Sequence, residues 1–354
     1  MKPVIICGGV GSKMWPESRQ KSPKHFLKLI GEKSLFQLNY ETLRKKFEPE
    51  EIFLQTNAQQ AIIAKEQEPE IPEDNIFIEP EMRNHGPATG LAAAMLFKRG
   101  FQDEPFMLVQ ADVLREPEEK FFEMIDQCDR LVRKEGKLVT GGYRPPYAMM
   151  GVDYLIRGER VPDTGEVVIW RMEKWLGRDA KESVEGFLKD GRALLHSNHY
   201  CWTPRSWMES FKKHTEVDWY QPLQNIINGS AVAEEYPKMM KGPIELVTNT
   251  ELLEGQVVEH DFKWIDFGTW ESVAVYLNSR KSESLKVESR DMQEIEAKNN
   301  FVRKPAGKYV AMIGVEDLVV IDTADALLIM KRDKSGMVGQ VVDKLKADNR
   351  IELL

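Results

Sequence analysis

Residues 3–29, "PVIICGGVGSKMWPESRQKSPKHFLKL", decide the fold class of this chain. The apolar run at the start is typical of a strand, and a group of glycines follows it. Those glycines are Gly8, Gly9 and Gly11. A glycine-rich turn after a first strand indicates a phosphate-binding loop, because glycine adopts positive φ and lets backbone N–H groups approach a ligand. Pro16 and Pro23 predict that the stretch stays a loop rather than a helix.

Two well-known phosphate-binding motifs do not fit this stretch. The dinucleotide motif G-x-G-x-x-G opens a helix directly, whereas "SKMWPES" follows Gly11 here. The P-loop pattern G-x-x-x-x-G-K-[ST] fails in both its spacing and its final hydroxyl. A nicotinamide dehydrogenase also needs an acidic residue after the second strand, but "EIFLQTN" ends in amides and a hydroxyl at 55–57. We therefore expect a long basic loop in which Lys13 and Lys24 neutralise a polyphosphate.

The composition of the 354-residue chain is typical of a soluble globular protein, with 42% hydrophobic and 30% charged residues. This balance disfavours disordered and membrane proteins, and no apolar run reaches the ~18 residues of a membrane-spanning helix. The formal net charge of −8 argues against a broad nucleic-acid-binding surface. The three cysteines match neither a disulfide framework nor a paired zinc spacing. We expect a cytoplasmic protein without nucleic-acid or membrane partners.

Short β-rich runs alternate with helix-length amphipathic segments from residue 3 to about residue 143. The runs are "PVIIC", "EIFLQTN", "NIFIEP", "PFMLVQAD" and "KLVTGGY". This alternation predicts βαβ units on a parallel sheet. Ser34 and Gln37 form a capping-box pattern before the first helix. Strand-like runs separated by turns at 151–204 predict mixed or antiparallel strands added to the same sheet.

The C-terminal part has a different pattern. Residues near 279–300, "SRKSESLKVESRDMQEIEAKNN", are strongly charged and poor in large apolar side chains, which is typical of a boundary. After them, "KYVAMIGVEDLVVIDTADALLIMKR" contains three β-rich runs within a short distance. This pattern predicts a small β module that is followed by a last amphipathic helix.

The loop resembles the signature of nucleoside-diphosphate-sugar pyrophosphorylases. Its Trp-Pro pair and its Pro-Lys-x-Phe-Leu sequence are similar to the mannose-1-phosphate guanylyltransferase branch. Further stretches occur in the order of that family, namely "EPEMRNHGPATGLAAA", "QADVL", "MEKW", "SNHYCW", "WIDFGTW" and "VAMIGVEDLVVIDTADALLI". The resemblance covers most of the chain. It implies transfer of a nucleotidyl group from GTP to a sugar 1-phosphate, with α-D-mannose 1-phosphate as the expected acceptor and pyrophosphate as the second product.

The resemblance also implies the fold. Residues 1–280 are expected to form an α/β, Rossmann-like nucleotidyltransferase domain with a mixed, mostly parallel central sheet. Residues 281–300 are expected to be the charged linker. Residues 301–354 are expected to form a partial left-handed β-helix with a helix after it. Loss of this module is expected to affect stability or a homodimer before it affects chemistry.

The resemblance assigns the nucleotide side of the site to particular residues. The loop glycines cradle the phosphates, Lys13 lies near the leaving pyrophosphate, and Lys24 reaches the phosphates during transfer. Asn84 belongs to the region around the base. Asp112 follows the strand "PFMLVQ" at the edge where open α/β sheets bind ligands. With Asp266 it is expected to hold Mg²⁺ or Mn²⁺ against the phosphates.

The sugar side of the site is implied in the same way. The residues expected to bind the sugar phosphate are Gly151, Glu173, Lys174 and Asn198. Adjacent residues on a strand point to opposite faces, so Glu173 and Lys174 act together only if the backbone bends between them. A neutral amide such as Asn198 suits sugar hydroxyls, because it both donates and accepts hydrogen bonds.

The chain departs from the family pattern close to the expected substrates. Lys13 replaces an arginine, which keeps the charge but loses the planar fork. Val152 and Asp153 replace a Tyr-Gly pair, and Tyr200 replaces a glycine. A ring and a charge are therefore expected to enter the sugar pocket, and such a change can exclude one sugar and admit another.

These departures leave alternatives open. The chain could use another sugar 1-phosphate or another nucleotide. It could also be a non-catalytic regulatory homologue that binds a nucleotide sugar. Retention of Asp112 and Asp266 argues against the regulatory interpretation, because a pure binder has little need for two metal-binding carboxylates.

Overall fold

The computed structural model describes residues 1–145, 152–163, 167–178, 184–280 and 291–354. These residues form two compact units, and each unit combines separate stretches of the chain. No helix among the described residues is both long and apolar enough to cross a membrane.

The first unit consists of Met1–Gly8 and Tyr40–Trp264, and the second of Gly9–Asn39 and Ile265–Leu354. The chain leaves the first unit directly after its first strand and returns to it within its first helix. This division differs from the predicted boundary at residue 280. The predicted phosphate loop is grouped with the C-terminal part of the chain, a pairing that sequence order does not indicate.

The strands of the first unit are β1 (Lys2–Ile6), β2 (Phe53–Asn57), β3 (Ile76–Glu79), β4 (Phe106–Gln110), β5 (Val113–Glu116), β6 (Val139–Tyr143), β7 (Tyr154–Arg160), β8 (Val168–Leu176), β9 (Ala193–His196), β10 (Cys201–Trp202) and β11 (Gln256–Glu259). Ten of them form one sheet in the order β11-β8-β7-β9-β6-β10-β4-β1-β2-β3. Among the described residues, the parallel pairs are β4–β1, β1–β2, β2–β3 and β6–β11. The prediction of a mixed sheet is confirmed, but the prediction that it is mostly parallel is wrong, because six pairs of its described strands are antiparallel and four are parallel.

The strand predictions are confirmed in detail. Each of the five β-rich runs before residue 143 contains one strand of the sheet. The later strands β7, β8, β9 and β10 pair antiparallel, as the turn-rich pattern predicts. Parallel strands read as continuous apolar runs because helices cover both faces, and the central strand β1 fits this rule with its buried residues Val4 and Ile5.

The helices up to residue 254 are α1 (Leu35–Arg44), α2 (Ala58–Gln67), α3 (His85–Lys98), α4 (Glu118–Glu135), α5 (Glu185–Lys189), α6 (Pro204–Lys213), α7 (Tyr220–Ile227), α8 (Val232–Glu235) and α9 (Glu245–Glu254). The predicted capping box is present before α1: the Gln37 N–H donates to Ser34 Oγ, and the Ser34 N–H donates to Gln37 Oε1, both at 3.1 Å. These bonds satisfy backbone donors that a helix start leaves open.

The elements of the C-terminal stretch are β12 (Lys263–Asp266), α10 (Trp270–Ser279), β13 (Met292–Ile295), β14 (Phe301–Arg303), β15 (Val310–Ile313), β16 (Leu318–Asp322), β17 (Leu327–Lys331) and α11 (Val338–Ala347). Parallel pairing joins Met292 to Val310, Lys298 to Glu316 and Phe301 to Val319. In each of these three pairs, the second residue lies 18 positions after the first. A constant offset of this kind is the register of stacked coils, as in a β-helix.

The predicted linker is described only in part. Residues 281–290 lie outside the described part of the chain. Met292–Ile295 form β13, so the prediction of a linker is wrong for this portion. The sequence pattern did not predict this strand, because Gln293, Glu294 and Ile295 are exposed on it. The alternation of apolar and polar residues that marks a half-buried strand is therefore absent.

Candidate nucleotide-binding and transfer site

Gly8 and Asp112 leave the central sheet at the same edge. β1 and β4 are parallel neighbours, and Ile6 is paired with Gln110. Gly8 and Asp112 each follow two residues after these partners. Burial raises the pKa of the Cys7 thiol, and the charge of Asp112 raises it further, which places the carboxylate near the end of β1. The carboxyl ends of parallel strands are where α/β sheets bind ligands.

The glycine loop continues in the second unit, where Lys24 packs on it. Gly9 and Gly11 have φ of 70° and 82°, in the left-handed region that favours glycine. A Cβ on Gly11 would lie 2.5 Å from the Cβ of Lys24, so the lysine stem occupies the space that a side chain would need. The N–H of Lys24 also donates to the Val10 carbonyl at 3.0 Å. The structure thus brings the predicted lysine against the predicted phosphate loop.

Lys13 has a different environment from Lys24. It lies on a short 3₁₀ turn, Ser12–Met14, and its side chain is exposed, whereas Lys24 is 9% exposed. Pro16 and Pro23 lie outside any α-helix, as predicted, and Pro23 precedes a second 3₁₀ turn at Lys24–Phe26. Of the two lysines predicted to neutralise the phosphates, one is therefore exposed and the other is buried.

The two predicted metal-binding aspartates belong to different units. Asp112 is half-buried after β4, and Asp266 is exposed at the end of β12. Gly268 leaves room for the Asp266 carboxylate, since a Cβ there would lie 3.0 Å from Asp266 Oδ2. No cluster of three or more His, Cys, Asp or Glu side chains suited to a metal occurs among the described residues. The metal-binding role of the two aspartates therefore stays a prediction, made because Mg²⁺ takes only one or two carboxylates from protein and completes its shell with phosphate and water.

Asn84 begins α3 with its side chain turned toward the protein. Its Oδ1 accepts from the His85 N–H at 2.8 Å and lies 2.7 Å from His85 Nδ1. His85 Nε2 lies 2.7 Å from Glu245 Oε2. Burial alone would raise the pKa of Glu245, but the hydrogen bond and charge of His85 outweigh it, so the pKa is lowered. The predicted role of Asn84 beside the base stays a prediction.

Gly86 packs where the backbone of α3 meets the following helices. A Cβ at Gly86 would lie 2.2 Å from the Trp219 ring and 2.6 Å from the Gly242 carbonyl oxygen. Its N–H donates to that carbonyl at 3.0 Å. The glycine is therefore required by the close approach of Trp219 and the Gly242 carbonyl.

Glu173 and Lys174 lie at a β-bulge in β8. Lys174 is paired with Ile156 and Met172 with Arg157, so Glu173 is the extra residue. A bulge bends the strand and changes the direction of its side chains. Glu173 and Lys174 need such a bend if both are to face the same ligand. Glu173 Oε2 lies 3.0 Å from the Arg192 guanidinium, and both side chains are substantially exposed. Gly151, the remaining residue predicted nearby, lies outside the described residues.

Asn198 lies in the turn between β9 and β10, close to the end of β4. Its φ is 57°, and its carbonyl accepts from Gln110 Nε2 at 2.6 Å. Its Oδ1 is buried and has no protein hydrogen-bond partner among the described residues. An acceptor of this kind fits a sugar hydroxyl, because a buried polar atom left unpaired is costly.

Sequence reasoning missed the buried arginine behind this turn. Arg115 is 5% exposed and donates to Gln110 Oε1 at 2.8 Å and to His199 Nε2 at 2.6 Å. Burial lowers the pKa of Arg115 to about 9, an effect that the Asp112 charge opposes. Its position three residues after Asp112 is the sequence signal that could have identified it.

Two of the residues that depart from the family pattern, Asp153 and Tyr200, are buried. Asp153 is 6% exposed and accepts from the N–H and Nε of Arg178 at 3.0 and 3.1 Å. Tyr200 is 2% exposed, and its hydroxyl lies 3.5 Å from Glu245 Oε1. The Tyr200 ring also packs edge-on against His196, with centroids 4.9 Å apart. The ring and the charge therefore belong to a buried polar network beside Asn198.

Comparison with known proteins agrees with this geometry. Residues 2–146 match the Nucleotidyl transferase family model, and residues 292–345 match the model of the MannoseP isomerase/GMP-like beta-helix domain. Mannose-1-phosphate guanylyltransferase 2 of Escherichia coli O157:H7 is 29% identical over 366 residues, covering 99% of this chain and 74% of that protein. Mannose-1-phosphate guanylyltransferase of Salmonella muenchen is 29% identical over 362 residues, with the same coverage of both.

A solved structure supports the fold independently. The crystal structure of mannose-1-phosphate geranyltransferase from Thermus thermophilus superposes with a TM-score of 0.81 at 23% identity. The match covers 98% of this chain and 99% of that one. The chain is therefore similar to nucleotidyl transferases over residues 2–146 and to the β-helix domain of the mannose phosphate isomerase and guanylyltransferase type over residues 292–345.

Proposed function

We propose that this nucleotidyltransferase transfers a nucleotidyl group from GTP to α-D-mannose 1-phosphate, with release of pyrophosphate. The observation that carries the proposal is the shared sheet edge of Gly8 and Asp112, which follow paired residues of β1 and β4. This edge suits a phosphate chain with a carboxylate beside it. The choice of GTP and mannose 1-phosphate rests on the names of the relatives.

In the proposed reaction, an oxygen of the sugar phosphate attacks the α-phosphorus of the triphosphate. A phosphorus–oxygen bond forms there, the bond to the bridging oxygen breaks, and pyrophosphate leaves with the electron pair. Catalysis of this kind consists mainly of positioning and charge neutralisation. Gly9 and Gly11 supply backbone donors, Lys13 neutralises the leaving pyrophosphate, and Lys24 reaches the transferred phosphate.

The proposed metal is Mg²⁺, with Mn²⁺ as the alternative, and Asp112 and Asp266 are its proposed protein ligands. The ion, when bound, supplies positive charge between phosphate oxygens. Asp112 offers a half-buried carboxylate beside the end of β1, and Asp266 offers an exposed one.

On the sugar side, Asn198 Oδ1 accepts from a hydroxyl, Glu173 accepts from another, and Lys174 pairs with the sugar phosphate. The bulge at Glu173 supports this division, because it frees the pair from strict strand alternation. Free, buried cysteines at positions 7, 128 and 201 support a cytoplasmic location. A homodimer stays a prediction from the family resemblance.

The first test is pyrophosphate release with Mg²⁺ across GTP, ATP, UTP, CTP and dTTP. Each is paired with mannose, glucose and fucose 1-phosphates. Release with GTP and mannose 1-phosphate is expected, and Asp112→Asn should lower kcat at least ~100-fold without lowering the melting temperature. Release with another pair alone would reassign the substrates. If the folded wild type releases no pyrophosphate with any pair, the regulatory interpretation is favoured.

A further inference from the structure

The phosphate loop, defined here as residues 9–29, lies in one unit with the C-terminal segment, residues 265–354. Within this unit, α11 packs against the 3₁₀ turn that carries Lys13. A Cβ on Gly339 of α11 would lie 3.7 Å from Ser12 Oγ. The turn that presents Lys13 therefore has its support in a helix more than three hundred residues away in sequence.

Arg303 on β14 contacts the loop at two places. Its Nε donates to Glu17 Oε1 at 2.5 Å, and its guanidinium donates to the carbonyl oxygens of Lys28 and Leu29 at 2.9 and 3.4 Å. Glu17 follows Lys13 in the chain, and Lys28 follows Lys24. One planar guanidinium thus joins both ends of the segment that holds the two lysines.

A second arginine contact holds the middle of the loop. Arg19 forms a bidentate pair with Asp325, with both distances 2.7 Å, and its Nε donates to the Pro16 carbonyl at 2.8 Å. Trp270 Nε1 on α10 donates to the Trp15 carbonyl at 2.9 Å. Paired and planar contacts of this kind fix direction as well as distance.

We propose that the C-terminal segment is a positioning element for the transfer reaction, and that Arg303 is its principal positioning residue. Arg303 sets the distance between the parts of the loop that carry Lys13 and Lys24. The proposal rests on the proposed function, because it assumes that this loop binds the triphosphate. It also revises the expectation that loss of the C-terminal module affects stability or assembly before chemistry.

The chain offers a matched control for Arg303. Arg332 lies in the same unit and forms a bidentate pair with Glu271 at 2.8 and 2.9 Å, and it also contacts Asn299 Oδ1 at 2.6 Å. None of these partners lies in the phosphate loop. Removing Arg332 deletes an arginine network of comparable size without touching residues 9–29.

The experiment compares Arg303→Ala, Arg303→Lys and Arg332→Ala in the full chain. Amide hydrogen exchange of residues 10–29 is measured without substrates, and the KM values for triphosphate and sugar 1-phosphate are measured separately. For Arg303→Ala we expect about tenfold faster loop exchange and about tenfold higher KM for triphosphate, with a smaller change for the sugar phosphate. Arg303→Lys should recover part of both effects, because lysine keeps the pair with Glu17 but not the fork.

The outcomes separate the two proposals. Unchanged loop exchange in Arg303→Ala, or equal acceleration in Arg332→Ala, would overturn the positioning role. If the wild type releases no pyrophosphate from any substrate pair, the proposed function fails. The exchange measurement still shows in that case whether Arg303 orders the loop. Should Arg303→Ala not fold, Glu17→Gln removes the charged partner alone and is expected to accelerate loop exchange to a smaller extent.

Discussion

The phosphate loop and the Asn198 turn are held in place by different kinds of interaction. The loop is held by arginines that pair with carboxylates and backbone carbonyls, as in the contacts of Arg303 and Arg19. The Asn198 turn is stabilised by buried groups, including Arg115, His199 and Tyr200. Exposed pairs contribute little to global stability, whereas buried polar networks are costly to break. The difference predicts that mutations near the loop change activity and that mutations near the turn change folding.

The largest expected effect is on the free energy of unfolding, at the buried groups of the Asn198 turn. Tyr200→Ala removes a ring that is 2% exposed, so we expect the free energy of unfolding to fall by about 3 to 5 kcal/mol. Denaturant unfolding measures it. Tyr309→Ala makes the same chemical change at a ring that is 58% exposed and should stay within about 0.5 kcal/mol of the wild type. Equal losses in the two variants would contradict the comparison.

The loop should show the reverse behaviour. Lys13 is exposed, so Lys13→Ala should leave the free energy of unfolding within about 0.5 kcal/mol of the wild type. Loss of the charge near the leaving pyrophosphate should lower kcat/KM by about 10² to 10³ in steady-state assays. Lys28→Ala, at another exposed lysine of the loop, serves as the control. A similar loss of activity in Lys28→Ala would show that only the general charge of the loop matters.

The two regions should also respond differently to pH. Burial lowers the pKa of His196 to about 4 and that of His260 to about 3. The unfolded chain binds protons at these histidines from pH ~6.5 downward while the folded chain does not, so stability falls as the pH drops from about 6.5 toward 4. The pair of Arg19 with Asp325 does not titrate in this window, because that arginine lowers the pKa of Asp325 below its ordinary value.

A variant isolates the histidine effect. His260 stacks on Phe262 with centroids 3.6 Å apart, so His260→Phe keeps an aromatic ring and removes one titrating group. Denaturant unfolding at pH values from about 7 to 5 should show a slope reduced by up to ~1.4 kcal/mol per pH unit relative to the wild type. A slope unchanged by the substitution would mean that His260 is not a source of the acid sensitivity.

The smallest stability effect is expected at the bulge. Glu173 and Arg192 are exposed, so Glu173→Gln should change the free energy of unfolding by less than about 0.5 kcal/mol. If Glu173 binds a sugar hydroxyl, KM for the sugar 1-phosphate should rise about tenfold in steady-state kinetics. Asp190→Asn removes the other carboxylate partner of Arg192 and should leave that KM unchanged. Equal effects on KM would show that Glu173 acts only through Arg192.

The sequence predicted those features of the fold that depend only on residues close together in the chain. Strand runs, the capping box at Ser34 and the loop conformation after β1 all depend on neighbouring residues, and each was found. The β13 strand was missed because its side chains face solvent. The buried arginine at position 115 was missed because burial depends on partners such as His199, which lie far away in sequence.

The candidate site shows the same division. Residues inside motifs, such as Gly11, Lys24 and Asp112, were identified from the sequence, and the structure places them on a loop and at a strand end. Their supports were not identifiable, since Arg303 and Glu17 are separated by 286 positions. Contacts of such long separation leave no periodic pattern in the chain.

The grouping of the phosphate loop with the C-terminal segment also constrains the order in which the protein is completed on the ribosome. Glu17 emerges early, but its partner Arg303 is synthesised only 286 residues later. At about 5 to 20 residues per second, that interval is on the order of tens of seconds. During this time the first unit has most of its strands, while the loop lacks its supporting arginine. A nascent chain therefore carries the strands of the first unit before the phosphate loop gains its supporting arginine.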